Sequence, residues 1–366
     1  MERQGQIYDL IREVIKHNVS DIHIEQDSPL CIRNASGKII FQEQIITTKE
    51  DVLNFLNETL GESAEKVFAE GREVDSSFNL DGTFFRYNVY YCYGKINIAL
   101  RKINSIAPSF EQIGLSDSIK QLLDKDKGLI LVTGPTGSGK STTMASLVEY
   151  INLNRSVHII TMEDPIEFVF QRKKSLISQR EIGKDSKAWT DAIKYAMRQD
   201  PDVIMVGEMR DVETISSVLT LVETGHLVIS TLHTSSAAQT INRILDIFPA
   251  YKQDQVAMQL SNGLLAIISQ KLFSKKDGKG RVAARDIMVN VPGIAKNIQL
   301  RDITKINAIM ETGLRHGMIT MNQNLAQLVS DGLVSMEEIQ TSITDKEQFN
   351  RILASRNERD KFNPID

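Results

Sequence analysis

The sequence has 366 residues, of which 41% are hydrophobic and 25% charged, so it is long and apolar enough for about two globular domains and is not a disordered chain. Its net charge of −4 gives no overall attraction to nucleic acid, and its two cysteines, Cys31 and Cys92, lack the spacing of a zinc site or a disulfide framework. No apolar run approaches the roughly 18 residues that span a bilayer, and residues 1–10 lack a secretory signal, so we expect a cytoplasmic protein without zinc or nucleic-acid partners.

Residues 1–102 predict a small N-terminal α+β domain. Apolar residues recur at helical spacing over residues 7–15, and a second helix is expected at about 50–60. Alternating apolar residues and turn-forming residues predict hairpins around 34–37 and Gly94. The expected strands of this domain, in chain order, are 21–25, 30–33, 38–42, 85–91 and 96–100.

The sequence pattern changes after this domain. Residues 103–114 carry a proline and a glycine without strong periodicity, and we interpret them as a linker. Residues 115–350 then alternate short apolar runs with helical segments, which predicts an α/β domain built on a parallel sheet. The expected strands of this sheet are 129–133, 157–161, 203–206 and 227–231. Residues 351–366 are polar, and we expect a frayed or disordered tail.

A phosphate-binding motif follows the first strand of this sheet. Residues 134–141 match the pattern GxxxxGK[ST], in which glycines let backbone N–H groups surround phosphate oxygens. Lys140 would reach the β- and γ-phosphates of ATP, and the Ser141 hydroxyl would bind Mg²⁺. The alternative is a chance glycine-rich turn, but the strand before the motif and the helix after it favour a nucleotide site. The residues expected to bind the nucleotide are Gly134, Pro135, Thr136, Gly137, Ser138, Gly139, Lys140, Ser141 and Thr142.

Acidic residues follow two other strands of the expected sheet, at the edge where ligands bind in open α/β folds. Glu163 and Glu208 each end an apolar run. ATP hydrolysis uses one carboxylate to hold or polarise the attacking water and another to bind Mg²⁺, so both residues are candidates for catalysis. Strand-end carboxylates can instead cap the next helix, and Asp164 and Asp211 fit that role.

Two histidines, His226 and His233, flank the strand expected at 227–231. Their separation of seven positions places them at opposite ends of that strand, so we do not expect them to bind one metal ion together. A structural histidine is the default interpretation of either residue alone. The functional alternative is contact with a phosphate group or with another subunit.

The phosphate-binding motif, the two acidic clusters and the histidine pair occur in an order that resembles the secretion and pilus ATPases, with their Walker A, aspartate box, Walker B and histidine box. Between about 128 and 250 the chain is most similar to the PilT-type retraction ATPases of type IV pili, including the runs SQREIG, GEMRD and ETGHLV, and the similarity continues through SNGLLAIISQKL. The resemblance implies a RecA-like P-loop ATPase core, a smaller PAS-like N-terminal domain and a homo-hexamer with ATP between neighbouring subunits.

The resemblance also implies roles for individual residues. Glu163 is similar to the catalytic carboxylate of the aspartate box, and Glu208 to the Walker B residue that acts on Mg²⁺. His226 and His233 correspond to the histidine box. Arg86 and Arg101 match N-terminal arginines that reach a neighbouring subunit's nucleotide, where a guanidinium would neutralise charge on the γ-phosphate; without the resemblance they would be interpreted as solvent-facing charges.

Branches of the family differ in ways that the sequence can test. Assembly and type II secretion ATPases usually carry a four-cysteine zinc module, for which this chain has too few cysteines. Residues 294–302 align with the AIRNLIRE segment of retraction ATPases, although Lys296 and Gln299 depart from it. The resemblance therefore favours a retraction motor acting on an integral inner-membrane pilus platform protein at the cytoplasmic face. A PilU-like accessory motor, an assembly or type IVB secretion ATPase and an inert nucleotide-binding scaffold stay open as alternatives.

Overall fold

A computed structural model describes residues 6–16, 19–34, 38–60, 73–103 and 106–362. The chain divides into two compact units, Met1–Ile106 and Ala107–Asp366. Within the residues described, no helix is long and apolar enough to cross a bilayer. The turn expected at 34–37 falls mostly outside these residues.

Where the structure describes the N-terminal unit, an antiparallel sheet packs with the helices α1 (Gln6–Ile15) and α2 (Lys49–Leu60). Its strands lie in the order β3-β2-β1-β6-β5-β4. The bounds of these strands are β1 Val19–Glu25, β2 Ser28–Asn34, β3 Ile39–Thr47, β4 Glu73–Leu80, β5 Thr83–Cys92 and β6 Lys95–Lys102. Alternate residues of β5, including Phe85, Tyr87 and Val89, are buried in one core with Ile11 and Leu56 from the helices. The prediction of a small α+β domain is confirmed, while β4, whose sequence is largely polar, was not predicted.

The C-terminal unit is built on a seven-stranded sheet in the order β13-β12-β7-β11-β10-β8-β9. Its strands are β7 Gly128–Thr133, β8 His158–Glu163, β9 Leu176–Glu181, β10 Val203–Val206, β11 Leu227–Leu232, β12 Leu264–Ser274 and β13 Arg281–Val289. Every residue of β7, β10 and β11 is buried, because helices cover both faces of the sheet. The strands β7 to β12 pair in parallel and only β13 is antiparallel.

Two hydrophobic cores flank this sheet, and alternate residues of β7 enter opposite cores. One core contains side chains from α3 (Phe110–Ile113), α4 (Asp117–Leu123) and α5 (Lys140–Asn154). The other core contains side chains from helices α6 to α11, which are α6 Trp189–Ala196, α7 Val212–Glu223, α8 Ala237–Asp246, α9 Ala250–Gly263, α10 Pro292–Gln299 and α11 Thr304–Glu311. A third core joins β12 and β13 to the C-terminal helices, α12 Met321–Ser330, α13 Met336–Ile339 and α14 Lys346–Phe362.

Two segments differ from the sequence-based expectation. The second half of the linker expected at 103–114 belongs to the C-terminal unit, because Ser109 caps α3 and Phe110 is buried beside Tyr150. Helix α14 also continues past residue 350 into the expected tail, with Phe349 buried near its beginning. Both boundaries moved because apolar side chains of these segments pack on a core, Phe110 and Ile113 in the first and Ile352 and Leu353 in the second.

Candidate functional site

The phosphate-binding loop, residues 134–139, joins the end of β7 to the start of α5 at the carboxyl edge of the sheet. Gly134 and Gly139 have positive φ angles of 148° and 86°. A Cβ on Gly134 would lie 2.4 Å from the Gln270 carbonyl oxygen, so only glycine fits there without moving the backbone of β12. The loop has the tight backbone and the helix N-terminus that bind phosphate groups.

Lys140 is the first residue of α5, and its ammonium group lies over the loop. Its Nζ donates hydrogen bonds to the carbonyl oxygens of Gly134 and Pro135, at 2.8 and 3.1 Å. Burial lowers the pKa of Lys140, and the nearby carboxylates of Glu208 and Glu167 oppose that shift. A partly desolvated cation held above a ring of backbone amides is suited to bind the phosphate groups of a nucleotide.

His233 connects this lysine to Glu208, which follows β10. His233 Nε2 lies 3.1 Å from Glu208 Oε1, and His233 Nδ1 lies 3.5 Å from Lys140 Nζ. An ammonium group can only donate, so a hydrogen bond between Lys140 and His233 requires Nδ1 as the acceptor and leaves Nε2 to donate to the carboxylate. Arg210 Nε donates to the other oxygen of Glu208 at 2.8 Å. The structure thus joins three residues from separate strand ends that the sequence placed in separate motifs.

Glu163 ends β8, beside β10, and its side chain is 7% exposed. Its Oε1 accepts hydrogen bonds from Thr161 Oγ1 at 2.7 Å and from Gln179 Nε2 at 3.2 Å, and the Glu167 N–H lies 3.4 Å from its Oε2. Burial raises the pKa of Glu163 to about 7, and these hydrogen bonds limit the rise. A buried carboxyl group with a pKa near neutrality is suited to general-base catalysis.

Gly207 lets the two acidic strand ends approach each other. A Cβ at this position would lie 3.0 Å from the Trp189 ring and 3.2 Å from the Met162 carbonyl oxygen. The Gly207 N–H also donates to that carbonyl oxygen at 2.8 Å. Glu163 and Glu208 therefore project from adjacent strand ends whose spacing depends on a residue without a side chain.

Two glutamines at the site have no role in the sequence-based interpretation. Gln179 on β9 donates to Glu163 and accepts from the Phe170 N–H at 2.9 Å. Gln270 on β12 is 2% exposed and donates to the Ser138 carbonyl oxygen at 2.7 Å. The sequence does contain one indication of Gln270, because a polar residue inside the apolar run LLAIISQKL needs a buried partner.

The structure places His226 away from this cluster. It precedes β11, at the opposite edge of the sheet from the phosphate-binding loop, and six strand residues extend over about 20 Å. Its Nδ1 lies 2.9 Å from the Leu221 carbonyl oxygen and 3.1 Å from Thr224 Oγ1. Asp211 caps α7 by accepting from the Thr214 N–H at 2.7 Å, which agrees with the capping alternative.

Arg86 and Arg101 belong to the N-terminal unit, where they are directly paired across β5 and β6. Directly paired residues of antiparallel strands share one face, so the two guanidinium groups lie on the same face of the sheet. Arg101 Nε lies 2.7 Å from Asp21 Oδ1, and Arg86 Nη2 lies 3.6 Å from Asp75 Oδ1. The side chain of Arg101 is 75% exposed and that of Arg86 43%, so both can reach a further partner.

Comparison with known proteins gives the family. Residues 4–359 match the family described as type II/IV secretion system protein. The chain belongs to this family. A twitching motility protein of Neisseria gonorrhoeae is 44% identical over 289 residues, which are 79% of this chain and 77% of the relative. The type IV pilus retraction ATPase PilT of Pseudomonas aeruginosa is 40% identical over 344 residues, which are 94% of this chain and 99% of the relative.

The fold comparison agrees with the sequence comparison. A crystal structure of the pilus retraction motor PilT with bound ADP has a TM-score of 0.87 and 42% identity, and the match covers 95% of this chain and 100% of that chain. The predicted resemblance to PilT-type retraction ATPases is confirmed, as are the assignment to the P-loop ATPases and the α/β fold with a smaller N-terminal α+β domain.

In this type II/IV secretion system protein, a cavity of about 1130 Å³ adjoins the phosphate-binding loop. Its wall includes Gly139 from the loop, Thr142 from α5 and Ile113 from the end of α3. Arg285 closes another side, where its guanidinium group donates to the Ile113 and Gly114 carbonyl oxygens at 2.6 and 3.0 Å. The cavity is continuous with the loop and has room for the nucleoside part of a bound nucleotide.

Proposed function

We propose that this protein is a motor that hydrolyses ATP to retract type IV pili and so drives twitching motility. The observation that carries the proposal is the contact of Lys140 with His233 and of His233 with Glu208 at the phosphate-binding loop. Relatives named for pilus retraction and twitching motility, which this chain covers over most of their length, support the direction of work.

The residues divide the chemistry between them. The phosphate-binding loop and Lys140 hold the phosphate chain, and Glu163 takes a proton from the attacking water. The Glu208–His233–Lys140 contacts keep the lysine and the carboxylate at the γ-phosphate side of the loop. Mg²⁺ at nucleotide sites usually binds through one or two protein groups together with phosphates and water. Ser141 and Glu208 are the groups that would hold Mg²⁺, which neutralises phosphate charge when bound.

The protein works as a homo-hexamer in this proposal. Arg86 and Arg101, which lie side by side on the N-terminal unit, supply guanidinium groups to the nucleotide of a neighbouring subunit. His226, whose ring lies at the other edge of the sheet, fits the role of an interface residue better than that of a phosphate contact. The ring acts on an integral inner-membrane platform protein, and the protein is therefore cytoplasmic and peripheral at the inner face of that membrane.

Deletion of the gene tests the direction of work. We expect surplus surface pili that do not retract, because assembly continues while the retracting motor is absent. Fluorescent labelling of pili on living cells measures both their number and their retraction rate. Wild-type protein should restore retraction, whereas a chain carrying Lys140→Ala should not. Bald cells would contradict retraction and favour an assembly motor.

A mixing experiment tests the shared site. Arg86→Ala and Lys140→Ala chains should each be inactive, yet mixed rings should recover part of the activity, because some interfaces pair an intact loop with an intact arginine. A supplied guanidinium group is worth about 10³-fold or more in comparable NTPases, so recovered phosphate release should exceed background clearly. The measurement is steady-state phosphate release against mixing ratio, after subunit exchange has been verified.

The matched control for this experiment mixes Lys140→Ala with Glu163→Gln. Lys140 and Glu163 both lie in the C-terminal unit, so each nucleotide site takes them from the same subunit. In this mixture every subunit lacks one of the two residues, and no site is complete. We expect no recovery there. If the Arg86→Ala mixture also gives only the sum of two inactive proteins, the proposal of a shared site is wrong.

A further inference from the structure

Gln270 is a buried polar side chain next to the phosphate-binding loop. It lies in β12, which pairs in parallel with β7, and the register of the two strands ends with Ser269 beside Thr133. Gln270 is therefore the first residue of β12 beyond that paired region, level with the start of the loop. Only 2% of it is exposed, so its amide must find partners within the protein.

The partners of the Gln270 amide lie in the phosphate-binding loop and in α5, the helix that follows it. Its Nε2 donates to the Ser138 carbonyl oxygen at 2.7 Å, and its Oε1 accepts from Thr143 Oγ1 at 2.8 Å. The Thr143 N–H in turn donates to the Gly139 carbonyl oxygen at 3.0 Å. One side chain thus connects the last peptide of the loop with the first turn of α5.

The bond to the Ser138 carbonyl oxygen has a directional consequence. That carbonyl group and the Gly139 N–H belong to one planar trans peptide, in which the C=O and N–H bonds point in opposite directions. Holding the carbonyl oxygen against β12 therefore aims the Gly139 N–H away from β12, into the loop. A Cβ on Gly139 would lie 3.2 Å from Gln270 Nε2, so the glycine also leaves room for this contact.

We propose that Gln270 is a positioning residue that aims the Gly139 N–H at the phosphate chain of the bound nucleotide and so sets its affinity. The inference rests on the proposed function, since it concerns the same nucleotide site. Gln270 can affect affinity only for a nucleotide whose phosphate group reaches the loop. ADP has the β-phosphate that the loop binds and AMP lacks it, so Gln270 should affect the binding of ADP more than that of AMP.

The test is ADP binding by the full-length protein, with fluorescent ADP as the probe and unlabelled AMP as competitor. Gln270→Met removes both hydrogen bonds at similar volume, and we expect ADP affinity to fall about 10-fold, as for two lost buried hydrogen bonds. AMP affinity should change much less. Thr143→Val removes one bond and should cost roughly 3-fold in ADP affinity, whereas Thr143→Ser, which keeps the hydroxyl group, should bind like the wild type.

The double variant Gln270→Met/Thr143→Val gives the sharpest result. If both residues act through one contact, the double variant should bind ADP no more weakly than Gln270→Met alone. Asn322→Leu is the matched control, because it removes another buried amide, whose partners, the Asp345 carbonyl oxygen and Gln348, lie just before and within α14. It should lose thermal stability without losing the preference for ADP over AMP.

Three outcomes would overturn the inference: wild-type ADP affinity in Gln270→Met, equal losses for ADP and AMP, or an equal loss in Asn322→Leu. If Gln270→Met does not fold, the comparison of Thr143→Val with Thr143→Ser decides, and equal ADP affinity of those two variants rejects the inference. Failure of the wild-type protein itself to bind ADP would instead reject the proposed function.

Discussion

Lys140→Ala should abolish ATP turnover. The ammonium group lies over the phosphate-binding loop, where it is partly buried and close to Glu208 and Glu167. Its removal takes away a cation that interacts with the carboxylates of Glu208 and Glu167, of which Glu208 is still paired with Arg210. We expect turnover to fall by roughly 10²–10³-fold or more, as for loss of a preorganised donor at developing charge, and nucleotide affinity to fall with it. Phosphate release and ADP binding by the purified protein measure the two effects.

Lys194→Ala is the matched control for this variant. Lys194 is an exposed lysine in α6, on the surface of the same unit, and its loss changes the net charge by the same amount. Its turnover should equal that of the wild type. Phosphate release at the wild-type rate by Lys140→Ala would show that the loop between β7 and α5 is not the hydrolytic site.

Glu163→Gln should separate binding from chemistry. The amide keeps the size and polarity of the carboxylate but cannot accept a proton from water. ADP affinity should stay near the wild-type value while turnover falls roughly 10²-fold or more, as for loss of a general base. If turnover survives in this variant and Glu208→Gln abolishes it, the roles given to the two carboxylates are exchanged.

The pH dependence of turnover gives a second measure of Glu163. Burial raises the pKa of its carboxyl group to about 7, and only the deprotonated form can act as a base. Turnover at saturating ATP should therefore rise as pH increases through about 7 and level off above it. The residual activity of Glu163→Gln should lack this rise. A rise of equal size in the variant would assign it to another group.

The sequence predicted the parts of the site that depend on local patterns. The phosphate-binding motif at 134–141 has a fixed spacing of glycines, lysine and serine. The strands β7, β10 and β11 are short apolar runs because both faces of the sheet are covered. Glu163 and Glu208 could be placed at strand ends for the same reason. The contact of His233 with both Lys140 and Glu208 could not be derived, since it depends on which strands become neighbours.

Long-range pairing explains most of what the sequence did not predict. Strands β12 and β13 follow the helical region, and β12 joins the sheet beside β7, far away in the chain. Gln270 therefore gained its role only from that pairing. His226 and His233 have the same spacing from the ends of β11, and only the position of the loop at one edge of the sheet distinguishes them. An apolar run in the sequence predicts where a strand begins and ends, but not which other residues lie beside each end.

The burial of the central strands has a mechanical consequence. A sheet packed on both faces at the density of a protein interior has low compressibility and transmits strain rather than absorbing it. The C-terminal helices α12 and α14 are anchored where β12 and β13 continue past the phosphate-binding loop, so a displacement of the loop is passed to them through this stiff sheet. Because the sheet resists bending, the loop and the C-terminal helices are expected to move together during hydrolysis.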